Sequence, residues 1–307
     1  MKPQHPVQIS NFQFMPLDQQ HEHERLHKER GEMSFFDHIS ELRKHILRSV
    51  LAIGVIGVVA FLNKDFVFNT LIFGPRNPDF FTYRLFCGLS HAVGLGDKMC
   101  FAPVNFEIIT RQLGEVLMQH LYVSFWLGFI GAFPYVFWEF WKFVSPGLLD
   151  TERRAVRGVV AVCSFLFLLG IAFGYFVIAP FSINFLAGYT LDGLQVSPTL
   201  DSYVTYMTMF TLPMGLVFEM PIVAYFLANI GLIGTTVMRS FRRHAVVVIL
   251  IVAAVITPPD VVSQTLVGIP LYLLYEVSIL VVARVQRRRA KMLEAEENKN
   301  REIVEGN

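Results

Sequence analysis

YVTYMTMFTLPMGLVFEMPIVAYFLANI, residues Tyr203–Ile230, is an apolar run long enough to span a bilayer. Inside it stands one carboxylate, Glu219, between Pro213 and Pro221. A charged side chain near the bilayer centre costs about 3 kcal/mol on insertion scales, and chains that retain one there usually employ it. Two readings stay open: a functional polar site within the membrane, or a protonated Glu219 hydrogen-bonded to a neighbouring helix for packing.

The rest of the chain agrees with a membrane protein. Of 307 residues, 53% are hydrophobic, 29 are Phe and only 17% are charged, a balance that excludes an ordinary soluble domain of this length. Further apolar segments lie at 46–62, 116–138, 159–179, 245–256 and 261–283, most near the ~20 residues a helical span needs. The expected fold is therefore an all-α membrane protein with six transmembrane helices. Its fifth and sixth spans read as short, with Thr257-Pro258-Pro259-Asp260 turning the chain between them. Glu276, sixteen residues beyond Asp260, falls about 24 Å down the sixth helix, level with Arg242 and Arg243, and so reads as interfacial.

Orientation follows from charge. Of the 26 Lys and Arg, 21 fall in 1–48, 142–157, 239–243 and 284–307. The other five lie in one long loop, 63–115, which translocates largely regardless of charge. Both termini are thus expected in the cytoplasm. Residues 1–32 read as a disordered extension, 33–285 as the membrane domain with its enlarged external loop 63–115, and 286–307 as a charged tail. The first apolar run starts too far from Met1 for a cleavable signal peptide.

Several smaller signals fall into place on this frame. Residues 33–48 carry Phe35, Ile39, Leu42 and Ile46 at helical spacing, an amphipathic lead-in expected to lie along the membrane surface before turning in. Glu107, Arg111 and Glu115, spaced four apart, predict that the second span projects outward as helix. Glu139, among Trp138, Phe140 and Trp141, reads as a snorkelling surface charge beside interface aromatics. Cys87 and Cys100 share the external loop and are either a local disulfide or two unpaired thiols, whereas Cys163 is an apolar filler in the third span. His23-Glu24-Arg25-Leu26-His27 matches H-E-x-x-H, but it falls in the polar extension without a third ligand or a span around it. No metal site and no cofactor are expected, and no phosphate-binding loop is present.

Read in order, His38-Ile39-Ser40-Glu41-Leu42-Arg43-Lys44, Phe143-Val144-Ser145-Pro146-Gly147-Leu148 with Glu152-Arg153-Arg154, Phe173-Gly174-Tyr175-Phe176, Phe218-Glu219-Met220-Pro221 and Ile256-Thr257-Pro258-Pro259-Asp260 with Ser263-Gln264-Thr265 closely resemble the TatC family. These are the multispanning receptors of the twin-arginine protein translocase, and the resemblance covers about residues 33–285. It implies a non-enzymatic receptor in the bacterial inner membrane that binds twin-arginine signal peptides of folded precursors on its cytoplasmic face. Export is then driven by the proton-motive force.

Residues matching the family's signal-peptide face are Glu41, Leu42, Arg43, Phe143, Glu152 and Arg153. Carboxylates suit that task, because they accept guanidinium forks bidentately. Read from the residues alone, Glu41 could instead pair with His45, and Glu152 with Arg153 and Arg154. Glu219, Pro221, Thr257, Asp260 and Gln264 match an intramembrane polar region that anchors single-span TatA-type or TatB-type partners. A cupped, partly hydrated helix bundle and self-association in a multimeric complex are also implied. The competing class is a secondary transporter or channel coupled through Glu219, which would be expected to show paired repeats; the six spans show no obvious second copy.

Overall fold

The computed structural model describes residues 35–92, 94, 96–100, 103–104, 106–144, 156–191, 196–257 and 261–305. These are helical nearly throughout, and among them the only bridge is an isolated one between Ile109 and Thr199. The chain divides into two compact units, Met1–Leu47 and Arg48–Asn307. The lead-in and the first span belong to one uninterrupted helix, α1 (Phe35–Leu62), without the expected turn between them.

The segment that follows, expected to be external, is structured. A π-turn (Phe66–Ile72) and a 3-10 turn (Gly74–Arg76) lead to α2 (Phe81–Ala92), and a second 3-10 turn covers Gly96–Met99. Tyr83 fastens α2 to its surroundings: its buried phenol donates to the Pro75 carbonyl at 2.6 Å and accepts from Asn184 at 3.2 Å. Burial pushes that phenol up to about 12, so it remains a donor at any physiological pH.

Helix α3 (Glu115–Val144) starts at Glu115, and residues 107–111 are not helical. The i,i+4 reading of Glu107 and Arg111 fails for a physical reason: Ile109 instead exchanges backbone hydrogen bonds with Pro198 and Leu200 at 3.0 and 2.9 Å. Glu115 acts as a connector. Its carboxylate accepts from the Arg111 and Gln112 amides at 2.7 and 3.3 Å and from the Asp201 amide at 2.9 Å.

Next come α4 (Val156–Phe173), a π-turn (Gly174–Ile178) and α5 (Ala179–Gly188), then α6 (Leu200–Val217) and α7 (Met220–Asn229). Glycines set the closest approaches. A Cβ on Gly170 would stand 2.5 Å from the Met214 carbonyl oxygen, and one on Gly174 would stand 2.6 Å from that of Phe210. The Gly170-x-x-x-Gly174 face thus lets α4 and its π-turn pack backbone to backbone on α6. In the same way, a Cβ on Gly128 would meet the Ile53 carbonyl oxygen at 2.6 Å, where α3 crosses α1 within the second unit.

The chain ends with α8 (Thr235–Ser240), α9 (Arg242–Ile256) and α10 (Val261–Glu305). Among the described residues, five helical stretches are long and apolar enough to cross a membrane: Ile39–Leu62, Glu115–Phe143, Gly158–Gly188, Leu200–Asn229 and Ser263–Ala295. The fifth expected span, α9, has only 15 residues and falls short of that length. The sixth is not short, since α10 continues for 45 residues into the charged tail. Arg242 and Glu276 form an ion pair at 2.7 Å, as their equal depth requires. Ala224 and Ala228 of α7 bury against Val282 and Val285 of α10, and Gln286 accepts from the Thr235 amide and hydroxyl at 3.0 and 2.7 Å.

Candidate functional site

Glu219 is the N-cap of α7, and Phe218–Glu219 is the point at which α6 gives way to α7. Two prolines flank that break. Pro213 removes one amide inside α6, while buried Pro221, in the first turn of α7, removes a second. The Glu219 carbonyl starts the new helix, accepting from Ile222 and Val223 at 3.0 and 3.1 Å. The side chain is half-buried, facing the Cys163 thiol and Phe167 of α4. Its Oε1 is buried and has no hydrogen-bond partner among the described residues. A buried acceptor left unmatched costs about 1–3 kcal/mol.

The other expected members of the polar region are engaged elsewhere. Buried Thr257 donates to the Ala253 carbonyl at 2.8 Å, closing the last turn of α9. Gln264 donates across to the Leu250 carbonyl at 3.2 Å, joining α10 to α9. Thr257 therefore serves the end of α9 and Gln264 the α9–α10 pair, whereas Glu219 faces α4. Asp260 lies outside the described residues, as do Glu152 and Arg153 and the His23–His27 motif. In the first unit, Glu41 and Leu42 are half-buried and Arg43 is exposed; in the second, Phe143 is half-buried near the end of α3.

Glu139 corrects its surface-charge reading, because it is 2% exposed and among the most buried side chains. Arg48 of α1 stands 3.9 Å from one carboxylate oxygen and Lys142 stands 3.7 Å from the other. The Tyr135 phenol, one turn earlier on α3, hydrogen-bonds the same carboxyl. Lys142 also lies 4.2 Å over the Trp138 ring. Its spacing from Lys142 is an i,i+3 signal in the sequence, but the burial depends on Arg48, some ninety residues away.

In the segment between α1 and α3, Cys87 and Cys100 are joined by a disulfide. Around it the structure gathers two residues that the sequence reading passed over. His91 Nδ1 is 3.9 Å from the Cys87 sulfur, and its Nε2 is 3.0 Å from Asp97 Oδ1.

Comparison with known proteins fits this arrangement. The family model for Sec-independent protein translocase protein (TatC) matches residues 37–270. The TatC protein of Blattabacterium sp. subsp. Periplaneta americana is 39% identical over 266 residues, covering 85% of this chain and 99% of that protein. That of Desulforapulum autotrophicum is 35% identical over 276 residues, covering 90% and 93%. Two crystal structures titled as the twin arginine translocase receptor TatC also match. One has 30% identity and a TM-score of 0.59, covering 81% of this chain and 99% of that one. The other, in DDM, has 31% identity and a TM-score of 0.61, covering 80% and 98%. With its family model spanning most of the chain and its relatives matched nearly end to end, this multi-pass membrane protein belongs to the TatC family of Sec-independent protein translocase proteins.

Proposed function

We propose that the chain is the core receptor subunit of a twin-arginine translocase in a bacterial cytoplasmic membrane. It binds twin-arginine signal peptides of folded precursors on its cytoplasmic face and recruits single-span subunits for export driven by the proton-motive force. The observation that carries this reading is the match, over four fifths of the chain, to solved structures titled as that receptor. On the cytoplasmic face, Glu41 and Glu152 are assigned to accept the two guanidinium groups, and Leu42, Arg43, Phe143 and Arg153 to contribute to signal-peptide binding.

Within the membrane, Glu219 offers to a polar group on a TatA-type or TatB-type helix the oxygen that has no hydrogen-bond partner among the described residues. Pro213 and Pro221 open the helix there. Thr257, Asp260 and Gln264 form a second polar region on the α9–α10 pair. Six spans are counted, with α9 as a fifth of about 22 Å, so the bilayer thins or hydrates around the Thr257 turn. The Arg242–Glu276 pair, which sets the first residue of α9 level with Glu276 inside α10, supports that count. Both termini are then cytoplasmic, as the clustering of basic residues indicates. Between Arg48 and Leu62, α1 has no buried residue, which leaves a long apolar face for lipid or for another copy of the complex.

The test is site-specific crosslinking of a twin-arginine precursor in membranes. Wild-type protein should crosslink, while Glu41→Gln and Glu152→Gln should each weaken binding by about 2 kcal/mol at unchanged protein level. Wild-type binding by the double variant would remove the receptor assignment of these two residues.

A further inference from the structure

Cys87, His91, Asp97 and Cys100 place one ligand atom each within 4.8 Å of one another. We propose that, once its disulfide is reduced, this cluster is a metal site for a thiophilic divalent ion, Zn2+ above all. Two closely spaced pairs build it. Cys87 and His91 are four residues apart on α2 and so share a helical face, while Asp97 lies on the Gly96–Met99 turn and Cys100 directly follows it. Gly94 and Gly96, at φ +77° and +61°, make the reversal that carries the second pair back onto the first. The platform beneath is fixed, since Thr82 bonds the Phe176 carbonyl and Phe86 packs edge-on to Phe181 at 4.9 Å.

The ring geometry assigns the roles. The 3.9 Å between Cys87 Sγ and His91 Nδ1 is near the ~3.6 Å edge that Zn–S and Zn–N bonds of about 2.3 and 2.1 Å subtend at a tetrahedral centre. His91 Nε2 then donates to Asp97, which fixes the tautomer that leaves Nδ1 free to bind. Cys87, Cys100 and His91 are thus the ligands, Asp97 orients the imidazole, and water fills the fourth position. The cluster is open to solvent, with the His91 and Asp97 side chains 57% and 87% exposed.

The chemistry balances. A dithiol reductant gives two electrons and two protons to the Cys87–Cys100 bond and is itself oxidised to a disulfide. The two thiols then lose their protons to solvent as the ion binds. The oxidised chain, its sulfurs bonded to each other, has no thiolate to offer. The site would couple the redox state of the external face to its metal load.

The test uses the full-length chain in detergent, reduced with tris(2-carboxyethyl)phosphine, freed of reductant without air, and titrated with Co2+. One Co2+ per chain should bind with thiolate-to-cobalt charge-transfer absorption, which Zn2+ bleaches, and the oxidised chain should show none. Residues 1–34 contain no cysteine, so their histidines cannot produce that band. Cys163→Ala should keep it, Cys87→Ser and Cys100→Ser should lose it, and Asp97→Asn should weaken binding about 10- to 100-fold. His91→Ala, which leaves the disulfide free to form, should weaken it by about 100-fold or more. A reduced wild-type chain without the band, or a band indifferent to His91→Ala, would overturn the proposal.

Discussion

Glu139 and Glu219 are both carboxylates shielded from water on apolar helices, and the molecule treats them in opposite ways. Glu139 has Arg48 and Lys142 at 3.9 and 3.7 Å, and the Tyr135 phenol besides. Glu219 has a thiol, a helix backbone and, among the described residues, one oxygen without a hydrogen-bond partner. Depth accounts for the contrast. At the end of α3, cations reach the carboxylate while their own ends stay wet, with Arg48 and Lys142 side chains 58% and 43% exposed. Between α6 and α7 no Lys or Arg of the sequence run 203–230 exists to do so. The first glutamate is completed by its own chain; the second, on the proposed function, is left for another.

The largest effect should come from stripping the completed one. Arg48→Ala with Lys142→Ala leaves the Glu139 carboxylate buried without its cations and should destabilise the protein in detergent by about 3 kcal/mol, read as a fall in melting temperature. Adding Glu139→Gln to that double variant should recover part of the loss. Equal stability of the double variant and wild type would show that Glu139 is held by something other than charge.

A smaller effect, about 2 kcal/mol, is expected at the other site from Gly170→Ala. The added methyl meets the Met214 carbonyl oxygen at 2.5 Å and the Phe218 Cβ at 2.9 Å, so α6 must move off α4 directly beneath Glu219. Thermal stability and partner crosslinking should fall together. Loss of stability alone would separate the packing from the docking.

How far these features were legible in the sequence differs by residue. Glu219 declared itself because one carboxylate among 28 largely apolar residues has no local explanation. Glu139 did not, because Trp138, Phe140 and Trp141 look alike at an interface and in a core, and Arg48 is remote in sequence. The outward helix over 107–111 was a local rule overridden by pairing with Thr199 and its neighbours. The extent of the sixth helix was hidden by its charged tail, which ends a span without ending a helix. His91 and Asp97 carried a signal, the Cys-x3-His and Asp-x2-Cys spacings, but their meeting depends on the glycine reversal between them.

The smallest expected change sharpens the comparison most. Glu219→Gln removes no ion pair and keeps an acceptor of the same size, so stability should shift by less than about 0.5 kcal/mol, in contrast with the loss of the cations around Glu139. A fall of several degrees in melting temperature would place Glu219 among packing residues.

Crosslinking between the α6–α7 break and the single-span subunit, measured in membranes for wild type, Glu219→Gln and Glu219→Ala with precursor binding followed in parallel, tests the central claim most directly. The account predicts that Glu219→Ala loses most of the crosslink and transport, that Glu219→Gln keeps an intermediate level, and that precursor binding persists in both. Unchanged crosslinking in both variants, together with collapse of stability in detergent, would contradict it.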